Sequence, residues 1–494
     1  LTIFFVAIFV YIDLVILKIF YNRNVFYALN KEIHVEMTLG LHENCTLNHT
    51  YARWIEQELD HFSSKEHRKW KMRYFQRLDL WRPGGPIYLF VGGESSVSPR
   101  WASAGITYEL AKETNGAIYI SEHRYYGKSK PFNNTNVENF KFLTARQALA
   151  DLEHLLKRVK QKPQFRYSKI VVIGGSYAGN LAVWMRLLYP DLVNAALSSS
   201  APVLAKKNFY EYLEKVNTVY ELFGTQDCLD TIRQIFRKYD TLLQSAEGIK
   251  HLKREENICE HCDLTIPENQ HLFFSNKVME YMINAQYGAP DKIKNHCKRL
   301  NNSSRIRSDD DDEIKECYNY DFQDTINDEE LRKEENDWII TWMYQICTEF
   351  GYFQTTNSNK QPFTSNIPLS YYVKICTALF GAEFDEKRID DGIETVNQLY
   401  GGLKPNVTKV VFTNGDMDPW STLSILEDLS DKAPAVIIPS ASHCKDLIPN
   451  RTNDTEELRE ARKYIKHLIK DWIGVGDDYK LKLNIENYKL KLKI

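Results

Sequence analysis

No stretch of the sequence gathers basic residues into a run. Lysine and arginine occur in scattered pairs, and the 63 of them are offset by 66 acidic residues to a formal net charge of -3. A surface that tracks phosphates needs a basic face or stripe, so nucleic acid is excluded as a partner. A clean apolar run of about 20 residues, the length a membrane-crossing helix needs, is also missing. The nearest approach is Leu1–Ile12, almost wholly apolar, after which Asp13 and Lys18 interrupt a continuing apolar stretch to Phe20. That length fits the core of a signal peptide better than a span, although no methionine or basic residue precedes the run and no small-x-small cleavage site follows it. Residues 1–24 are therefore expected to be a signal peptide or a possible N-terminal anchor, with no further membrane contact.

Metal chemistry lacks its ligand patterns. Cys259-Glu260-His261-Cys262 has no further ligands at zinc spacing, and its cysteines read as disulfides or free thiols. The acidic run Asp309–Glu313 lacks the glycine and spaced ligands of an EF-hand loop and reads as solvated. No metal and no cofactor are expected. Solenoid-type repeats are absent as well; only the low-complexity tail, 476–494, repeats Tyr-Lys-Leu-Lys-Leu from Tyr479 and Tyr488.

What is present points to export. Nine cysteines occur, six of them from Cys228 to Cys347, and an oxidising compartment would pair most of them. Asn44, Asn48, Asn133, Asn301, Asn302, Asn406, Asn450 and Asn453 each open an N-x-S/T sequon, the glycosylation signal of the secretory pathway. The expected location is extracellular, lysosomal or vesicular.

A chain of 494 residues suggests two folded units, or one fold with a large insertion. Pro86–Val91, Ala117–Ser121 and Lys169–Ile173 are short apolar runs that read as strands buried on both faces. Between the last two, Arg146–Lys160 places Leu149, Leu152, Leu155, Leu156 and Val159 at helical spacing. Strand, helix, strand in that order predicts a parallel sheet with right-handed crossovers. From about Asn208 the pattern turns helical, at 209–223, 229–246 and 271–287, with no convincing strand. Strands return at Lys409–Phe412 and Ala435–Ile438, and an amphipathic helix follows at Glu456–Trp472. The expected organisation is a core in two parts, 50–205 and 336–475, around a disulfide-bonded helical cap at 206–335.

Strand Lys169–Ile173 runs directly into Gly174-Gly175-Ser176-Tyr177-Ala178-Gly179, and a helix begins with Leu181, Ala182, Trp184 and Met185. A strand, a tight turn of small residues holding Ser, then a helix is the context of a nucleophile elbow, which lifts the hydroxyl out at the top of an α/β-hydrolase sheet. Its G-x-S-x-G pattern is met except at Ala178, one methyl larger. Such a nucleophile needs a base and an orienting acid, which follow in the order Ser, Asp, His. Strand Lys409–Phe412 leads to Asp416-Met417-Asp418-Pro419-Trp420, and strand Ala435–Ile438 to Ser442-His443. Both would converge on the sheet edge that carries Ser176. As structural alternatives, Asp418 reads as a turn cap before Pro419 and His443 as an ordinary loop histidine. Gly92-Gly93-Glu94 follows an earlier strand, and the N–H groups of Gly93 and Tyr177 are the expected oxyanion donors.

With these motifs the chain resembles the peptidase family that contains lysosomal Pro-Xaa carboxypeptidase, dipeptidyl peptidase II and thymus-specific serine protease. The resemblance rests on 57–62 (Gln-Glu-Leu-Asp-His-Phe), 92–94, 122–127 (Glu-His-Arg-Tyr-Tyr-Gly), 174–179, 199–202 (Ser-Ser-Ala-Pro), 418–420 (Asp-Pro-Trp) and 442–444 (Ser-His-Cys). It is closest to the thymus-specific branch, through Gly-Ser-Tyr-Ala-Gly, Cys347–Gln354 and the His443-Cys444 pair. It implies an α/β-hydrolase core under a disulfide-bonded helical cap and exopeptidase activity on peptides, often after proline. Ser176 carries over as nucleophile, Asp418 rather than Asp416 as acid, and His443 as base. Glu94, Trp342, Glu349 and Trp420 are candidates for the substrate pocket, with core packing an equal reading for Trp342 and Glu349. Two departures bear on specificity: Cys444 stands where carboxypeptidase and dipeptidase relatives often have a second His, and Gly93-Glu94-Ser95 replaces Gly-Glu-Gly. A homodimer is possible. The competing readings are an esterase or lipase on the same fold, or a silent secreted protein that binds peptides.

Overall fold

The computed structural model describes residues 49–134, 136–302, 317–333 and 337–475. The expected leader at 1–24, the sequons at Asn44 and Asn48, the acidic run and the tail lie outside them, as does the side chain of Asn302.

Eight strands form the main sheet. They are β1 (Thr50–Glu58), β2 (Lys69–Arg77), β3 (Ile87–Val91), β4 (Ala117–Ser121), β5 (Ile170–Gly175), β6 (Ala195–Ser199), β9 (Val410–Gly415) and β10 (Ala435–Ile438), and their order is β1-β2-β4-β3-β5-β6-β9-β10. The short strands β7 (Lys206–Asn208) and β8 (Gly351–Phe353) pair in parallel apart from it. From β4 to β10 every neighbour in the main sheet is parallel, while β1–β2 and β2–β4 are antiparallel. Strands β3, β4, β5, β6 and β9 are buried throughout, which is why the sequence writes them as unbroken apolar or small-residue runs. Each buried Ile or Val of β5 adds about 1.5–3 kcal/mol by leaving water.

Helices α1 (Ile106–Thr114), α2 (Ala145–Lys160) and α3 (Tyr177–Leu188) are the crossovers that join β3, β4, β5 and β6 in turn. Helix α1 packs on β3 and β4, while α2 packs on α3, which lies against β3, β5 and β6. Among the described residues ten further helices follow: α4 (Glu211–Phe223), α5 (Gln226–Leu242), α6 (Ala246–Glu255), α7 (Pro267–Tyr287), α8 (Pro290–Asn302), α9 (Phe322–Asn327), α10 (Trp338–Gln345), α11 (Leu369–Phe380), α12 (Glu386–Tyr400) and α13 (Glu456–Trp472). The last, α13, packs on α1, β6 and β10. Helices therefore lie on the mainly parallel sheet, and the architecture is that of an α/β-hydrolase.

The sheet is left at Ser199 and rejoined at Val410, with α4 to α12 in the interval. Three disulfides brace this interval: Cys228–Cys297 ties α5 to α8, Cys259–Cys317 holds the segment after α6, and Cys347–Cys376 joins α11 to the turn after α10. Cys262 and Cys444 are buried free thiols, so Cys259 and Cys262 do not act as a pair. Among the described residues no helix is long and apolar enough to cross a membrane.

Candidate active site

Because the main-sheet strands β4, β3, β5, β6, β9 and β10 run parallel, their C-terminal ends share one edge, and each delivers a loop there. The loop from β5 is the tightest. Ser176 sits at φ 57°, ψ -134°, a left-handed backbone rare for a residue with a side chain. Its N–H donates to the Ser199 carbonyl (2.9 Å), and its own carbonyl accepts from Gly179 (2.8 Å) and Asn180 (3.2 Å), which starts α3. The glycines are required by contact: a Cβ on Gly174 would stand 2.0 Å from the Ala178 carbonyl oxygen, and one on Gly179 2.9 Å from the Ala201 methyl. Ala178 departs from the usual Gly without strain, because the residue opposite its methyl is Gly93, where even a Cβ would lie at 3.4 Å.

The loop from β9 carries Asp418 and the loop from β10 carries His443, both fully buried. Asp418 does two jobs. Its Oδ1 accepts the Trp420 N–H at 3.0 Å, capping the turn Pro419–Leu423, and its Oδ2 meets His443 Nδ1 at 2.7 Å. The turn-cap reading and the acid reading of Asp418 are thus compatible. The imidazole meets Asp418 and not Asp416, whose carboxyl burial pushes up. Burial pushes the His443 imidazole down, but the Asp418 carboxylate and the Cys444 side chain outweigh it and hold the group well above its ordinary value. His443 Nε2 is buried and has no hydrogen-bond partner among the described residues.

The His443 loop is pinned from several sides. Its N–H donates to the Gln286 carbonyl of α7 (2.8 Å), and the Cys444 N–H donates to Ser200 Oγ (2.9 Å). Three residues on, Asp446 takes the Ser199 hydroxyl (2.5 Å) on one oxygen and the Thr413 hydroxyl (2.8 Å) on the other, locking the loop to the ends of β6 and β9. Arg462 of α13 holds the Asp446 and Lys445 carbonyls.

On the other side of Ser176, the Tyr177 phenol is anchored in a buried network. Burial pushes His123 down to about 4, so its ring is neutral. Its Nδ1–H donates to the Arg124 carbonyl (2.7 Å), which leaves Nε2 to accept from Tyr177 (3.1 Å). Gln345 donates to the same phenol oxygen (3.1 Å) and accepts from Tyr126 (2.6 Å). The motif residues 122–127 prove to be scaffold: Glu122 pairs with Arg73 and accepts the Val97 N–H (3.3 Å) of the loop after β3, while Arg124 pairs with Asp151, which also holds His61 (2.7 Å).

The remaining candidates are spread around this centre. Glu94 is buried in the loop after β3. Trp342 is buried with its ring 5.6 Å from Tyr177 and 6.0 Å from Phe350. Both oxygens of Glu349 accept the Ala145 N–H at the start of α2 (3.0 and 3.1 Å), and burial pushes its carboxyl up to about 8. Trp420 is ringed by Phe209, Tyr212 and Tyr352 at 5.4 to 5.6 Å and donates through Nε1 to Gln286 (2.9 Å). Asn133, Asn301, Asn406, Asn450 and Asn453 are exposed. Gln286 and the Tyr177 network were absent from the sequence expectations, because nothing in a helix interior or a tyrosine-rich motif marks them. Asp446 had one signal, its place three residues after His443.

A doubly covered, mainly parallel sheet with serine at the strand–helix elbow defines an α/β-hydrolase. A family model described as serine carboxypeptidase S28 matches residues 57–465. The chain belongs to that family and is a serine peptidase. It is 32% identical over 453 residues to thymus-specific serine protease of Mus musculus, covering 85% of this chain and 87% of the relative. It is 30% identical over 461 residues to the Homo sapiens thymus-specific serine protease, covering 87% of this chain and 88% of that one. Lysosomal Pro-X carboxypeptidase of Homo sapiens is 27% identical over 443 residues, covering 85% and 88% of the two chains.

Proposed function

We propose that the chain is a serine exopeptidase with Ser176 as nucleophile, His443 as general base and Asp418 as orienting acid. One observation carries the reading: a buried histidine whose Nδ1 is held by Asp418 at 2.7 Å, while its Nε2 has no hydrogen-bond partner among the described residues. That nitrogen is the one left to take the Ser176 proton. The seryl oxygen attacks the scissile carbonyl, and the oxyanion is met by the N–H groups of Gly93 and Tyr177. His443 returns the proton to the leaving amine, and water, activated the same way, hydrolyses the acyl-enzyme.

Exopeptidase action is supported by enclosure. Ser176 and His443 are each 1% exposed, so a folded polypeptide cannot lay its middle across them, whereas a peptide end reaches further. A preference for proline is supported by the name of the Pro-X carboxypeptidase relative. Three disulfides and the exposed sequons support an exported enzyme, extracellular or lysosomal.

The test is mass spectrometry of products from proline-containing peptides with free or blocked ends, alongside labelling by a fluorophosphonate probe. Labelling at Ser176 and loss of terminal residues are expected, with both abolished in folded Ser176→Ala. Retained turnover in that variant would sink the assignment.

A further inference from the structure

We infer that Gln286 is a positioning residue for the proposed triad, so that helix α7 sets the geometry of both the acid turn and the base loop. The inference rests on the triad assignment made above. Gln286 is fully buried near the C-terminal end of α7. Its carbonyl accepts the His443 N–H at 2.8 Å. Its side-chain Oε1 accepts from Trp420 Nε1 at 2.9 Å and from the Tyr212 hydroxyl at 2.5 Å, and its Nε2 donates to the Tyr287 hydroxyl at 2.6 Å.

Both arms of the triad end on this residue. Trp420 donates its backbone N–H to the Asp418 oxygen that does not face His443, so fixing the indole fixes the carboxylate turn. The Tyr287 ring and the imidazole stand in a T-shaped pair, at 6.0 Å between centroids and 85° between planes. An amide suits this place: its oxygen serves two donors while its nitrogen donates to a third group, all out of water. A leucine there would remove the acceptor that Trp420 and Tyr212 share, and the turn and ring would shift in response. Misplacement by about 1 Å at a reacting centre costs about 100-fold in rate. The helical interval is then part of the catalytic scaffold, not a detachable lid.

The test compares Gln286→Leu and Gln286→Glu in the full, glycosylated chain, reading the fluorophosphonate labelling rate of Ser176 and the pH profile of kcat/KM for a proline-containing peptide. Labelling does not depend on peptide contacts, so it reports triad geometry. The ionisable groups facing His443 and Gln286 are Asp418, Cys444, Tyr212 and Tyr287. Gln286→Leu should unfold cooperatively and label about 10- to 100-fold more slowly than wild type, with kcat falling more than KM changes. Gln286→Glu keeps an acceptor for Trp420 and Tyr212 and should recover most of the rate. Once ionised, its carboxylate, bonded to Trp420 and Tyr212 and next in sequence to the Tyr287 ring that packs on the imidazole, should move the rising limb of the profile to higher pH. If wild type labels at Ser176 while both variants match it in rate and pH profile, the role of Gln286 is overturned and the triad stands. If wild type itself fails to label at Ser176, the triad falls and this inference with it. Should Gln286→Leu not fold, Trp420→Phe removes the same Trp420–Gln286 bond from its other end, and a wild-type labelling rate in that variant overturns the role.

Discussion

Replacing Asp418 by asparagine tests the proposed triad at its most buried bond. The amide is nearly isosteric, and its oxygen can still accept the Trp420 N–H, now at 3.0 Å, so the turn survives. The other end changes sense. At 2.7 Å from His443 Nδ1 the carboxylate accepts, whereas the amide nitrogen donates, so Nδ1 must become an acceptor and the ring proton moves to Nε2. An Nε2 that already carries a proton cannot take another from Ser176. In other enzymes with this constellation the wrong tautomer costs about 10⁴-fold in kcat, or about 5 kcal/mol of barrier. The charge is lost as well. Burial is then opposed only by the Cys444 side chain, so the pKa of the imidazole should drop from well above the ordinary value toward it, and residual activity should rise at lower pH than in wild type. The assay is the rate of fluorophosphonate labelling at Ser176 against pH, followed by intact mass, with the unfolding midpoint recorded as a folding control. A folded Asp418→Asn protein that labels within about tenfold of wild type would refute the orienting role of Asp418.

Two more predictions follow from packing and from charge. Gly174→Ala drives a methyl to 2.0 Å from the Ala178 carbonyl of α3, and denaturant unfolding should show a loss of about 3 kcal/mol or more, with an unchanged midpoint contradicting the elbow geometry. Glu349, pushed up to about 8 from an ordinary 4.5, takes up a proton on folding between those values, so the native state loses stability as pH rises through that window. Glu349→Gln keeps an acceptor for Ala145 and should flatten the pH dependence of the unfolding midpoint there; identical curves for the two proteins would rule this out.

Much of the sheet is legible because its central strands are buried on both faces. Burial on both sides leaves no room for alternation, and 87–91, 117–121 and 170–173 stand out as apolar blocks between turns. The strands that escape notice lack that signature. β1 and β2 have one buried face at most and read TYARWIEQE and KWKMRYFQR, with charges throughout. β6 is AALSS, buried but too small in side chain to register as a strand. β7 and β8 are three residues each, and a pair that short is held by its surroundings.

The candidate site divides along the same line. Chain order and local turns belong to the sequence: the small residues that permit the elbow, the acid and the histidine each placed just past a strand end, and the family motifs around them. These are local properties, set by steric limits over a few residues and by strands long enough to recognise. Tertiary structure decides how near the acid comes: the motif Asp418-Pro419-Trp420 already favours Asp418 over Asp416, but only the path of the turn brings it to 2.7 Å from the imidazole. It also decides that Asp446, 33 residues from Thr413 and 247 from Ser199, locks the His443 loop, and that Gln286, 134 residues before Trp420, joins helix α7 to the Asp418 turn and the His443 loop. Such contacts leave no periodicity behind, because a single buried hydrogen bond constrains one side chain at each end and nothing in between.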